Sequence, residues 1–172
     1  MTAALVLLIF PALAIIAALK DATSYTIPNW ICLALLAGYF PTAMVAGLSP
    51  AVFGLSLLAG LAVLVAGMGL FAAGWIGGGD AKFMAAASLW LGVAAAPAFL
   101  LATALCGGTL ALTLLALRSP RLAPFCARGP AWTRRLTAPG AAAPYGVAIC
   151  VGALFAFPLS APAAALAGLV VG

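Results

Sequence analysis

The stretch "FMAAASLWLGVAAAPAFLLATALCGGTLALTLLAL", residues 83–117, carries no charge from end to end and is flanked by Lys82 and Arg118. As one helix it would be about 50 Å long at ~1.5 Å per residue, against a hydrocarbon core of about 30 Å. It would also set Lys82 and Arg118 on opposite sides of a bilayer. Pro97 lies inside the stretch. A break near it gives two short spans and returns both cations to one side. The expectation is a chain that turns near Pro97.

The rest of the chain belongs to the same solvent. Of 172 residues, 67% are hydrophobic, only 5% are charged, and histidine is absent. Soluble domains carry about 25% charged residues, so this chain could not cover itself in water. The class implied is an all-α, polytopic integral membrane protein, a single domain over residues 1–172. The basic residues are Lys20, Lys82, Arg118, Arg121, Arg128, Arg134 and Arg135, all in gaps between apolar runs. That is the pattern of the positive-inside rule, not of a nucleic-acid surface. The cysteines (Cys32, Cys106, Cys126, Cys150) form no C-x-x-C pair, so neither a zinc site nor a disulfide framework is expected.

Working outward gives about six spans: 2–19, 28–47, 52–73, two from 83–117, and one starting near Pro144. In "MTAALVLLIFPALAIIAAL" the first charge, Lys20, follows the apolar run, whereas a signal peptide carries its charge before it. The order implies a retained helix with its N-terminus outside, kinked at Pro11. Span three carries Gly54, Gly60, Gly67 and Gly74 near one face, a stripe suited to close helix packing. Residues 118–143, rich in arginine and proline, are expected to be a cytoplasmic loop without helix, serving topology and lipid-headgroup contact. The last span could run to Val171 only by tilting, by kinking at Pro158 or Pro162, or by leaving a tail at the interface.

Two carboxylates stand out. Asp21, in "LKDATSYTIPNW", and Asp80, in "GWIGGGDAKF", are the only acidic residues of the chain. In the six-span layout both lie at the cytoplasmic face, Asp21 after span one and Asp80 opening span four. Ionisable groups at the membrane are expensive and are functional candidates by default. A plainer role for Asp80 is helix N-capping, and for Asp21 an interfacial anchor paired with a lysine. One glycine suffices for a turn, whereas Gly77, Gly78 and Gly79 leave backbone that another chain can approach closely. "GGGDAK" lacks the spacing of a phosphate loop and precedes a membrane helix instead of following a strand. With no histidine and no metal-ligand cluster, the chemistry left is that of two carboxylates sharing one proton. One draws a proton from water while the other polarises an amide carbonyl, as in aspartic peptidases.

On these residues the chain resembles the type IV prepilin peptidases. "GGGD" (Gly77 to Asp80) matches their G-x-G-D motif, and "PYG" (Pro144, Tyr145, Gly146) is similar to their P-[FY]-G segment. The short length resembles the small CpaA/TadV-type branch of tight-adherence (Flp/Tad) pilus systems. The resemblance implies leader removal from prepilins or pseudopilins at the cytoplasmic face of the inner membrane, alongside pilus assembly machinery. It implies Asp21 and Asp80 as catalytic residues, with Gly77, Gly78, Gly79 and Lys82 in the site loop. Pro144, Tyr145 and Gly146 would line the site, and no cofactor is implied. Only "ATSYTIP" separates Asp21 from span two, with no cysteine-paired insert as in the larger branch, so N-methylation is not assigned. The rival readings are a proton-coupled transporter or channel, and a non-catalytic scaffold of a secretion or pilus machine. A transporter's aspartates would lie mid-membrane, and a scaffold would tolerate their replacement.

Overall fold

The computed structural model describes residues 2–171 apart from 130–133, 135, 137, 139, 140 and 142. Arg135 therefore lies outside the described residues. Among these the structure is all helical: α1 (Thr2–Ser24), α2 (Asn29–Val45), α3 (Pro50–Ala72), α4 (Gly78–Leu117), α5 (Ala123–Ala127), α6 (Tyr145–Ala156) and α7 (Ala161–Val171). A 3₁₀ turn, Phe157–Leu159, joins the last two.

Among the described residues three helices are long and apolar enough to cross a membrane, Val6–Ser24, Pro50–Ala72 and Gly78–Leu117. A fourth candidate is the bent pair Tyr145–Leu159 and Ala161–Gly168, angled by 50°. The expected kink in the last span falls at the 3₁₀ turn that contains Pro158. At 17 residues α2 is shorter than the other candidates. Residues 118–143 are not helix-free, because α5 forms within them. The Arg118 guanidinium donates to the Leu136 and Ala141 carbonyls at 2.8 and 2.9 Å, tying that loop to the end of α4.

The ends of the helices follow local chemistry. Ser49 caps α3 through its hydroxyl, which accepts from the Val52 N–H at 3.4 Å, and Pro50 takes the first turn, where a missing N–H costs nothing. Gly47 (φ +62°) and Gly74 (φ +75°) supply the left-handed turns before α3 and after it. Gly74 is thus a turn residue, and Gly54 faces open space. The stripe of α3 narrows to Gly60 and Gly67. A Cβ on Gly60 would stand 3.1 Å from Leu89 Cβ, and one on Gly67 would stand 3.1 Å from Ala81 Cβ. Helix α4 lies against α3 at those points.

The break in α4 is at Gly92, not Pro97. Gly92 has φ 66° and ψ −179°, a region essentially reserved for glycine, while Pro97 lies inside the arm that follows. The arms, 78–91 and 93–117, fold back on one another. A straight helix would set Gly107 about 40 Å from Asp80. Instead Gly107 lies against the Tyr145 ring, next to Gly146, which bonds Asp21. Farther along α6, Gly152 meets the Thr103 backbone N at 2.8 Å and the Phe99 carbonyl at 3.0 Å, measured from a Cβ built on it. The second arm and α6 therefore cross with no room for a side chain.

The first arm is the axis of the bundle. Phe83, Leu89, Trp90 and Leu91 are buried, and the Trp90 indole N–H donates to the Leu35 carbonyl at 2.8 Å. Phe10 of α1 packs on Trp90 at 5.4 Å between ring centroids and on Phe157 at 4.8 Å. In lipid such contacts stabilise by close packing, because the surrounding tails are as apolar as the core.

Candidate active site

One end of the bundle gathers the C-termini of α1 and α3 with the N-termini of α2, α4 and α6. Both aspartates are there. Asp21 lies within α1, in its last turn, and not beyond the helix. Its neighbours Thr23 and Ser24 donate their hydroxyls to the Leu19 and Lys20 carbonyls at 2.7 Å, which carries the helix past it. Tyr25 then ends α1 at φ +55°, its N–H bonded to the Asp21 carbonyl at 2.8 Å.

A carboxylate in the last turn opposes its own helix dipole. The compensation comes from α6. The Gly146 N–H, in the first turn of that helix, donates to Asp21 Oδ2 at 2.7 Å. It is one of the amides that a helix start leaves without an internal partner, and the dipole there favours an anion. Asp21 is only 5% exposed. A Cβ on Gly146 would lie 2.8 Å from the Asp21 Cβ and Oδ2, so any side chain at position 146 displaces the carboxylate.

Asp80 occupies the first turn of α4, but the cap residue is Gly77. The Asp80 carboxyl turns back toward Gly77, its Oδ2 2.9 Å from where a Gly77 Cβ would stand. Its place at the helix start is an incomplete account, because the same carboxyl lies near enough to Asp21 for their like charges to repel. Each carboxylate thus sits at a helix N-terminus, and elements far apart in sequence bring the two to the same end of the bundle.

The three glycines serve different neighbours. None has a positive φ, so conformational freedom does not explain them. A Cβ on Gly77 would meet Asp80 Oδ2 at 2.9 Å, and one on Gly78 would meet the edge of the Phe71 ring at 3.3 Å. On Gly79 it would meet Ile27 Cβ at 3.3 Å and the Ile27 backbone N at 3.4 Å. The close approach anticipated at Gly79 is therefore made by the protein's own α1–α2 connection. That contact brings the connection leaving Asp21 against the turn bearing Asp80.

Lys82 donates to Asn29 Oδ1 at 2.9 Å and bonds neither aspartate among the described residues. Tyr145 turns to Gly107 of α4, and Pro144 caps α6. Within "PYG", it is Gly146 that hydrogen-bonds an aspartate. Sequence reasoning missed Ile27, Asn29 and Gly92. A glycine inside an apolar run was the available signal for Gly92, and nothing local marked the other two.

With this geometry in view, the comparisons with known proteins bear on it directly. A family model described as the type IV leader peptidase family matches residues 8–112, a range that contains Asp21, Gly77 to Asp80 and Lys82 but ends before Pro144. The chain belongs to the type IV leader peptidase family, an aspartic peptidase family whose members act on prepilins. No curated protein and no solved structure matches it.

Proposed function

We propose that this protein is a membrane-embedded aspartyl endopeptidase that removes the leader from type IV, Flp/Tad-like prepilins or pseudopilins. Asp21 and Asp80 are its catalytic pair. The observation that carries the reading is their convergence: two lone carboxylates of an apolar chain lie at one end of the bundle, near enough for their charges to interact, each at a helix N-terminus. A transporter relay would place them along a path through the membrane, and here they share one end.

The chemistry follows from the pair. One carboxylate, ionised, takes a proton from water as the oxygen attacks the scissile carbonyl carbon. The other, protonated, donates to the carbonyl oxygen. The tetrahedral adduct collapses as a proton passes to the amide nitrogen and the C–N bond breaks. The products are a leader with a new carboxylate and a trimmed pilin with a new amine. The Gly146 amide holds the Asp21 carboxylate in place, and no cofactor takes part.

In the membrane the chain makes six crossings, with α2 as one and the two arms of α4 as two. The N-terminus lies outside, and the aspartates lie at the cytoplasmic face of the inner membrane. The short α1–α2 connection, without room for an inserted module, favours the small tight-adherence branch. The test is incubation of the purified protein with the pilin-like proteins of the same genome, followed by product mass. Expected are two fragments whose masses sum to the substrate plus one water. Intact substrate across all of them would overturn the reading.

A further inference from the structure

A groove of about 520 Å³ runs between α2, α3 and α4. Its walls include Leu36 and Leu61, its floor includes Gly60, and its upper end is formed by Asn29, Cys32 and Lys82. Gly60 lets α3 lie close to α4 beside the groove, against Ala85 and Leu89. Its rim is open: Leu33 is 61% exposed and Leu61 58%. In a bilayer that opening faces acyl chains.

The polar end is built from donors. Lys82 uses one ammonium proton on Asn29 Oδ1, which leaves its other protons and the Asn29 side-chain NH₂ to donate. The Asn29 oxygen, the natural acceptor there, is already engaged by Lys82. An anion with acceptor oxygens complements this end, and a cationic headgroup finds no counter-charge in it. We propose that the groove binds one anionic phospholipid, an acyl chain along the leucines and the phosphate on Lys82 and Asn29. The proposal does not depend on the peptidase reading, and Lys82 stands two residues from Asp80 on α4.

The test is native mass spectrometry of the delipidated protein titrated with phosphatidylglycerol or phosphatidylcholine. One phosphatidylglycerol should be retained per chain, with a preference over phosphatidylcholine of about tenfold, the scale of one charge-assisted hydrogen bond. Lys82→Gln should remove that preference and Lys82→Arg should keep it. Cys32→Trp, which puts an indole into the groove, should lower phosphatidylglycerol retention with the polar end intact. Thermal unfolding confirms that each variant is folded, and Asn29→Ala replaces Lys82→Gln if the latter is not. Equal retention of both lipids, or a preference unchanged by Lys82→Gln and Asn29→Ala, would overturn the proposal. So would a dimer whose formation excludes the lipid, which would assign the groove to a second copy of the chain.

Discussion

At the scale of single residues, the glycines around the two aspartates make sharper predictions than their motif does. Gly146 cannot gain a methyl group without moving Asp21, since the added carbon would sit 2.8 Å from its carboxylate. Gly146→Ala should therefore lower cleavage by about 10²-fold, the usual consequence of an ångström-scale misplacement of a reacting group. Gly108→Ala, where nothing lies within 4 Å, should leave it unchanged. Initial rates of prepilin processing at equal protein concentration check both. Gly79→Val should also impair cleavage while the protein still inserts, because Ile27 must give way and the turn bearing Asp80 moves with it. Gly78→Ala meets only the edge of a flexible Phe71 ring and should be much milder. Normal processing by Gly79→Val would mean that the Ile27 contact does not position the site.

Among the elements, α4 carries the most consequence. Its two arms fold back at Gly92, whose φ of 66° with ψ near 180° costs other residues about 1–3 kcal/mol. Gly92→Ala should destabilise the protein by that order, seen as a lower unfolding temperature in detergent, and the added carbon would also crowd Ser56 Oγ at 3.1 Å. A variant as stable as the parent would contradict the role assigned to the break. Gly60→Ala in α3 should act through packing, because its neighbours are Leu89 and the Ala85 carbonyl and neither aspartate is among them. The break itself was legible in the length and charge flanks of 83–117, but its position was not. Proline is the usual cause of a helix interruption, and the sequence offered Pro97. The structure uses a backbone conformation open to glycine, which leaves no mark in hydropathy.

For the whole molecule, the apolar composition sufficed to read an all-helical membrane protein, and the two lone carboxylates were legible as one candidate site. The motif glycines were legible as close-approach positions, yet their partners were not. Ile27 and Asp21 meet Gly79 and Gly146 only once the helices pack, and local sequence holds no trace of that. Placing every described basic residue on one side makes a topological prediction: reporters fused after Arg121 should read cytoplasmic, and those near Ser49 external. An external signal after Arg121 would separate the arginine-rich loop from the face assigned to the aspartates. A pair sharing one proton should give a bell-shaped dependence of activity on pH, its limbs belonging to the pair and not to either residue. The central claim is that Asp21 and Asp80 act as one unit. It is tested most directly by prepilin processing with purified Asp21→Asn and Asp80→Asn proteins at matched membrane yield. Each should nearly abolish cleavage, and the double variant should be little worse, because groups that act together are non-additive. Substantial cleavage by either single variant would contradict the account.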